Sequence, residues 1–395
     1  MIMTLLRRFL FPAAALVACL AASAAESVRP KSSLIAPTAD LSLRHEVQRA
    51  LDKGVFWLLA NQNSNGWWST PDHPAVTALA LSALQGEPQP RATKARTAAL
   101  KSGHAFLLSC AQPDGGIYQT NLPNYNTSLA LMALLGAKEP SYEPVMRKAR
   151  AYLVGSQIDL GEPGRLDTPF DGGVGYGSKY KHSDLNNTLL ALEALYYSKR
   201  LVQDTQAADN KDLDWQAAIH FLQNCQNLPG TNKADWADGS AKNKGGFIYY
   251  PVHSMAGAET NAAGRVALRS YGSASYAGLL SYIYADLKRD DPRVTAVMDW
   301  LRANYTLDEN PGMGPQGLFY YLHTMTKALT IAGVDTLETK DGRKLNWRQD
   351  TALKLLNLQA RDGSWANEHA RWWEKDPVLA TAYSLIALEM IYRGL

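Results

Sequence analysis

The chain has 395 residues, of which 46% are hydrophobic and 19% are charged. This composition excludes a disordered chain and indicates a well-buried globular protein. The formal net charge is +3. Removal of Arg7 and Arg8 with the N-terminal segment described next leaves 38 basic and 37 acidic residues. This balance gives no basic field for binding nucleic acid.

The N-terminus predicts an export signal. Arg7 and Arg8 form a basic start, an apolar stretch follows, and Ala22-Ser23-Ala24 is typical of a small-residue cleavage site. Residues 1–24 are therefore expected to be a signal peptide. The stretch is too short for a membrane span, and no other run approaches ~20 apolar residues, so no transmembrane span is expected in the mature chain.

A second interpretation of the same segment remains open. Leu16-Val17-Ala18-Cys19 is typical of a bacterial lipobox, in which residues 1–18 would be a lipoprotein signal and Cys19 a lipid anchor. Both interpretations predict an exported protein, periplasmic or extracellular, and the second adds membrane anchoring. In either case we expect the polar, proline-bearing segment that ends at residue 42 to be a linker. In the first interpretation this linker begins at residue 25.

Six segments of the chain share one order of features, an apolar helix ending in Gln, a Gly-aromatic turn and a second helix. The first runs from Lys53 to Trp68 and continues into the helix Ala75–Gly86. Glutamine occupies the equivalent helix end in five segments and tyrosine in the other: Gln62, Gln112, Gln157, Gln226, Tyr305 and Gln359. Such an array is typical of a repeat protein with variable inserts. The Gln amides are expected to satisfy backbone groups at helix ends.

The two helices of each pair differ in character. The second helices are apolar nearly all round, with small Ala residues and a recurring threonine at Thr77, Thr127, Thr188 and Thr381, which predicts burial on both sides. The first helices carry more charge. Six hairpins with a buried inner ring predict an all-α, (α/α)6 toroid over residues 43–395 as a single domain. The ring is expected to be closed, because an open stack would need polar caps on its terminal repeats and the sequence does not show them.

The segment from Lys53 to Trp68 resembles the Gln-Trp motif of the triterpene cyclases at every position, and the stretches Lys148–Gln157 and Gln359–Trp365 resemble it further. The resemblance covers roughly residues 45–395 and implies the squalene cyclase and prenyltransferase superfamily of α/α toroids. Within it, the chain is most similar to bacterial exported proteins that carry the prenyltransferase and squalene-oxidase repeat.

The catalytic motifs of that superfamily do not carry over. The acid of squalene-hopene type cyclases is an Asp-x-Asp-Asp string, whereas Asp212-Leu213-Asp214-Trp215 lacks the last carboxylate. This string and Asp290-Asp291 precede outer helices and are expected to cap them. Neither Cys110 nor Cys225 has the Asp two residues before it that holds zinc in protein prenyltransferases. No metal or cofactor is therefore expected, both thiols are expected to be buried and unpaired, and whether the chain is an enzyme stays open.

Candidate site residues lie where the turns lead into the second helices, because ring closure brings these helix starts to one mouth of the toroid. The catalytic candidates are His73, Asp184 and Asp376, although each also fits a helix cap or turn. The ligand-binding candidates are Tyr125, His182, Tyr271, Tyr276, His323, Arg371, Trp372 and Trp373. Paired indoles suit the face of an isoprenoid or a sugar, or a simple cover of the barrel end.

Three functions follow from this pattern. The first is an isoprenoid-handling protein that holds an apolar small molecule in its cavity. The second is a non-catalytic module that presents its long loops to a protein or wall partner of the envelope. The third is a carbohydrate-active enzyme, since exported (α/α)6 barrels with Trp-rich mouths suit lyases and hydrolases.

Overall fold

The computed structural model describes residues 38–202, 211–260, 264–369 and 371–395, with no side-chain description for 38–40. The toroid is one compact unit, Ala39–Leu395. The predicted signal peptide, the lipobox with Cys19 and residues 25–37 of the predicted linker lie outside the described residues and remain predictions. The rest of that linker, residues 38–42, is helical, because the first helix already begins at Thr38.

The described residues contain twelve α-helices in six hairpins. The outer helices are α1 (Thr38–Ala60), α3 (Lys94–Ser109), α5 (Glu143–Val154), α7 (Trp215–Cys225), α9 (Pro292–Ala303) and α11 (Trp347–Leu358). The inner helices are α2 (Pro74–Gly86), α4 (Pro123–Ala137), α6 (Leu185–Ser198), α8 (Gly272–Tyr284), α10 (Leu318–Ile331) and α12 (Pro377–Gly394).

The inner helices form a closed ring. Each even-numbered helix from α2 to α12 packs against the next, and α12 packs against α2. The composition of α2 shows why they pack closely: Ala78, Ala80 and Ala83 alternate with leucines and are fully buried, so small side chains meet neighbouring helices on both sides. The prediction of an all-α (α/α)6 toroid is confirmed.

The Gln side chains join neighbouring outer helices. The Gln62 amide donates to the carbonyl of Gly66 in its own turn (2.8 Å) and to that of Ala99 in α3 (3.0 Å). Gln157 and Gln226 make the equivalent pairs of bonds. Gln359 bonds its own turn and the carbonyl of Ala50 in α1, both at 2.9 Å, and so links the last hairpin to the first. Gln112 differs, because its amide bonds carbonyls of its own turn, the better at 2.8 Å.

The turn after each outer helix is held against the inner helix. Gly66 has a φ of +95°, and a Cβ there would collide with a backbone carbonyl of α3, so glycine is required. The amide of Trp68 donates to the hydroxyl of Thr77 (3.0 Å) and its indole to the Leu58 carbonyl (2.8 Å). The threonines of α4, α6 and α12 accept from their turns in the same way, which explains their recurrence.

The inserts add short elements to this frame. Strand β1 (Ala258–Thr260) pairs antiparallel with β2 (Val266–Leu268), with Ala258 opposite Leu268, and β3 (Leu337–Glu338) pairs with β4 (Lys344–Leu345). Single 3-10 turns occupy Pro140–Tyr142, Lys199–Leu201 and Arg371–Trp373.

Two smaller predictions are also confirmed. The Asp214 and Asp291 side chains accept hydrogen bonds from backbone amides of α7 and α9, both at 2.9 Å, and therefore act as helix caps. Cys110 and Cys225 are buried and form no disulfide.

Candidate ligand-binding cavity

A cavity of about 470 Å³ lies inside the ring of inner helices. Its wall follows helical spacing, as Leu379, Tyr383, Ile386 and Met390 of α12 show. Residues of this spacing share one helix face. The wall contributed by the other inner helices is Val76, Leu79, Ser82, Tyr125, Leu129, Met132, Asn186, Leu190, Glu193, Tyr197, Ser273, Tyr320, His323, Lys327 and Ile331. The cavity is therefore predominantly apolar and aromatic.

The mouth is the end of this cavity formed by His73, Trp372 and Trp373. Both tryptophans have positive φ angles, 57° and 67°, and they are 40% and 48% exposed although they line the cavity. The Trp373 ring meets the His73 ring edge to face, with centroids 4.7 Å apart. The Arg371 guanidinium lies over the Trp372 ring at 4.5 Å, a cation–π contact that holds the indole. Indole faces thus cover the cavity opening.

His73 has a ring nitrogen without a hydrogen bond. It precedes α2 without capping it, and its Nδ1 is buried with no hydrogen-bond partner. Burial lowers the pKa of His73, and the charge of Asp72 opposes this only in part. The imidazole is therefore neutral at pH 7.

Glu374 fixes the covering loop to the helix behind it. Its side chain is 1% exposed and accepts hydrogen bonds from the backbone amide of Tyr320 (2.7 Å) and the side-chain amide of Asn367 (2.8 Å). Burial raises the pKa of Glu374, and these bonds limit the rise. The carboxylate caps the start of α10, which has no other side-chain cap.

A group of tyrosines forms the wall below the mouth. Burial raises the pKa of Tyr125, Tyr271 and Tyr383, so all three stay protonated. The Tyr320 hydroxyl donates to the Asn186 side-chain oxygen at 3.3 Å, and the Tyr320 and Tyr383 rings pack with their centroids 5.7 Å apart. These rings present apolar faces to the cavity, while the Tyr320 hydroxyl bonds to the wall.

Asp184 lies behind this wall. It caps α6 by accepting from the backbone amide of Asn187 (2.9 Å) and from its side-chain amide (2.8 Å), and it is fully buried. Burial raises the pKa of Asp184 to about 6, with these hydrogen bonds opposing the rise. Asp184 does not line the cavity, whereas Tyr249, which lies close enough to lower the Asp184 pKa, does.

Further along the cavity, charged side chains enter the wall. The Lys327 ammonium of α10 contacts both carboxylate oxygens of Glu193 in α6, at 2.7 and 3.0 Å. Their side chains are only 15% and 6% exposed. His323, one helical turn before Lys327, also lines the cavity, and its Nδ1 is buried without a partner. Burial and then the charge of Lys327 lower the pKa of His323 well below its ordinary value.

Several solved structures match this architecture, whereas no protein-family model and no curated protein sequence does. An inactive variant of an α-1,6-mannanase of Salegentibacter, in complex with α-1,6-mannotriose, is 11% identical with a TM-score of 0.56, over 88% of this chain and 100% of that one. The type II terpene cyclase MstE from Scytonema, in complex with geranylgeranyl dihydroxybenzoate, is 13% identical with a TM-score of 0.55, over 90% and 99%. The chain shares the α/α toroid fold of these two enzymes.

A third similar structure is a possible member of the GH105 family from Salmonella enterica, 10% identical with a TM-score of 0.52 over 93% of this chain and 97% of that one. Structural matches at identities this low show a shared fold and no more. An isoprenoid enzyme and a carbohydrate enzyme both have this toroid. The function of this toroid must therefore be argued from its own cavity.

The toroid brings a majority of the predicted site residues to the cavity. Those that line it are His73, Tyr125, Tyr271, His323, Trp372 and Trp373. Arg371 stands beside the mouth and donates to the Gln316 side chain at 2.8 Å. His182 lies in a separate ring cluster in the inserts, 4.5 Å from Tyr250. Tyr276 is buried between α8 and α10 against Tyr321.

The three catalytic candidates do not form one bonded group in the toroid. Asp376 caps α12 through the amide of Val378 (2.8 Å) and accepts a hydrogen bond from Ser69. Asp184 bonds Asn187, as described above. The Nδ1 of His73 has no partner. The two carboxylates therefore have structural bonds, and of the three residues only His73 lines the cavity.

The sequence interpretation missed Glu193 and Lys327. Their signal was a single charge in each of two otherwise apolar inner helices. Glu193 stands five residues after Thr188, where the matching positions of α2, α4 and α12 carry Ser82, Met132 and Ile386. An alignment of α2, α4, α6 and α12 on their threonines exposes the substitution at Glu193.

Within the described ranges, no group of three or more His, Cys, Asp and Glu side chains is arranged to hold a metal ion. Among the helices that the structure describes, none has the length and hydropathy needed to cross a bilayer.

Proposed function

We propose that this toroid binds an apolar, isoprenoid-type small molecule in its central cavity. The observation that carries the proposal is the cavity itself, about 470 Å³ in volume and walled by aliphatic and tyrosine side chains below an indole-covered mouth. Small-molecule sites are concave, mostly apolar and ~300–1,000 Å³ in volume. Burying a hydrocarbon in such a site supplies ~25 cal/mol per Å² of apolar surface removed from water.

The length of the cavity sets the size of its ligand. The wall runs from Leu379 to Met390 on α12 and from Asn186 to Tyr197 on α6. At 1.5 Å per residue, each stretch spans about 16 Å. An extended carbon chain advances about 1.2 Å per bond, or about 5 Å per isoprene unit. Three such units match the cavity, which favours a sesquiterpenoid over shorter or much longer chains.

The similarity to the Scytonema cyclase supports the same ligand class. That protein was solved in complex with geranylgeranyl dihydroxybenzoate, a prenylated aromatic acid, so this fold accommodates a prenyl chain.

A carbohydrate-active toroid is the second candidate, because half-exposed Trp372 and Trp373 offer flat faces of the kind that stack on sugars. The chemistry of the cavity supports it less. Glycoside hydrolysis typically uses two carboxyl groups facing the scissile bond. The described carboxylates that line the cavity are Glu193 and Glu374, and they are engaged by Lys327 and by the amides at the start of α10.

Native mass spectrometry of the purified protein tests the proposal. We expect retained lipid of isoprenoid mass, and saturable binding of sesquiterpenoid probes. Filling the cavity by Leu129→Trp should abolish binding, whereas Leu353→Trp, the same change on the outer surface of α11, should preserve it. Binding unaffected by Leu129→Trp, or a glycan bound with no terpenoid, would overturn the proposal. Retention of neither ligand would favour an envelope interaction module.

We propose further that the protein is exported, as the basic and apolar N-terminal segment indicates. The mass of the mature N-terminus decides between the two forms. A start at residue 25 supports a secreted protein, a diacylglyceryl-modified Cys19 supports an anchored lipoprotein, and an intact Met1 in envelope-free extract rejects both.

A further inference from the structure

Glu193, His323 and Lys327 form a polar cluster in the cavity wall. The ammonium bridges the two carboxylate oxygens at 2.7 and 3.0 Å, and the imidazole lies on the same face of α10 one turn earlier. At the level of Glu193 on α2, α4 and α12, the wall is Ser82, Met132 and Ile386. The cluster is therefore a local polar site on an apolar surface.

The cluster has hydrogen-bonding capacity left over. A lysine ammonium carries three N–H groups, and Glu193 takes at most two of them. His323 is 7% exposed, and its Nδ1 has no partner. A buried polar atom without a partner destabilises the folded protein. A ligand atom that satisfies both groups would remove part of that destabilisation.

The charges around the cluster select the kind of ligand group. Lys327 and Glu193 neutralise each other, and burial keeps His323 uncharged by lowering its pKa. An anionic head such as a diphosphate would meet the Glu193 carboxylate, and a cationic head would meet the ammonium. A neutral group that both donates and accepts a hydrogen bond avoids both repulsions.

We propose that the cluster of Glu193, His323 and Lys327 binds the hydroxyl group of an isoprenoid alcohol. The hydroxyl accepts a hydrogen bond from Lys327 and pairs with His323 Nδ1. The chain extends from this site towards Trp372 and Trp373, past the tyrosines of the wall. The inference rests on the proposed function, since it names the head group of a ligand held in the same cavity.

The seven residues from Asn186, near the mouth, to Glu193 correspond to about 10 Å along α6. This distance accommodates about two isoprene units between the cluster and the tyrosines. The third unit of a sesquiterpenoid then lies against the indoles at the mouth, so hydroxyl binding and chain length are compatible in one pose.

The test is isothermal titration calorimetry of the full mature chain with three probes of equal chain length: farnesol, farnesene and farnesyl diphosphate. We expect farnesol to bind about 10-fold more tightly than farnesene, which corresponds to about 1.4 kcal/mol. Farnesyl diphosphate should bind most weakly.

Two variants remove the site without adding net charge. His323→Phe and the double replacement Glu193→Leu with Lys327→Met should reduce the preference for farnesol over farnesene to below about 3-fold, with farnesene affinity kept. His45→Phe, the same change on the exposed side of outer helix α1, is the matched control and should leave the preference unchanged.

The outcomes separate this inference from the proposed function. Equal affinity for farnesol and farnesene, strongest binding of the diphosphate, or a preference that survives in both folded variants overturns the hydroxyl site. Absence of binding for all three probes instead overturns the isoprenoid-binding function. The three-probe comparison on the unaltered protein decides the question even where a variant fails to fold.

Discussion

Replacing Lys327 by methionine removes the positive partner of a buried carboxylate. Glu193 is 6% exposed at its side chain and bonds the ammonium through both oxygens. Removing one partner of a buried ion pair lowers the free energy of unfolding by about 3–5 kcal/mol, because an uncompensated charge stays in the interior. Lys327 keeps some contact with the open cavity, so we expect about 3 kcal/mol for Lys327→Met.

The size of the unit converts this cost into a temperature. Unfolding entropy of about 2.1 cal/mol/K per residue gives about 0.75 kcal/mol/K for the unit Ala39–Leu395, so 3 kcal/mol lowers Tm by about 4 °C. Far-UV circular dichroism during heating measures this shift. Adding Glu193→Leu should restore most of the loss, because a well-packed apolar pair replaces a buried ion pair at little cost.

Lys354→Met supplies the control. Lys354 pairs with Asp308 at 3.1 Å, but the Asp308 side chain is 90% exposed, and exposed pairs contribute ~0–1 kcal/mol. A Lys327→Met shift no larger than that of Lys354→Met, or a double variant less stable than Lys327→Met, would refute the argument that the buried charge dominates.

Three further outcomes are expected. Gln359→Leu should cost about 1–3 kcal/mol in urea unfolding, because it leaves two backbone carbonyls without their partner, one of them in α1; Gln112→Leu, which breaks bonds within a single turn, should cost less. Gly66→Ala should lower Tm strongly, since its φ is +95° and backbone lies within van der Waals contact. For Asp184, a folded pKa of about 6 against an ordinary 3.8 means that stability present at low pH is lost as pH rises through about 6, by about 3 kcal/mol. Asp184→Asn should flatten that pH dependence.

Each of these has a clear contrary result. Equal losses for Gln359→Leu and Gln112→Leu would show that the bond between the last and first hairpins adds nothing. Gly164→Ala is the control for Gly66→Ala, because Gly164 also has a positive φ but nothing within 4 Å; similar Tm shifts would deny the role of the close backbone. A wild-type stability that does not fall from pH 4.5 to 7.5 relative to Asp184→Asn would contradict the assignment of the raised pKa.

The fold was predictable because its determinants recur. Gln62 and Gln359 stand in similar sequence contexts and make equivalent bonds, so one motif reports on the whole ring. The recurring threonines likewise mark the side of each inner helix that faces its turn. Short-range chemistry repeated along the chain is visible in a single sequence.

The site was harder to predict because it depends on helix phase and on the inserts. Tyr276 directly follows Ser275, whose hydroxyl accepts a hydrogen bond from a backbone amide of the turn. Successive residues of a helix point to different faces, so the Tyr276 ring packs against α10 and does not face the cavity. Asp184 was expected at the mouth, but it caps α6 and does not line the cavity, whereas Tyr249 of an aperiodic insert does. The Glu193–Lys327 pair joins residues 134 positions apart, so neither residue alone signals its partner.

The bond from Gln359 to Ala50 has a consequence for how the chain reaches its native state. The helix that α2 needs on one flank is α12, the last of the twelve described helices to be synthesised. Until then the apolar flank of α2 lacks its cover, unlike an open solenoid in which each added repeat completes the one before. Packing of the first hairpin is therefore coupled to that of the last, although the two lie at opposite ends of the described chain.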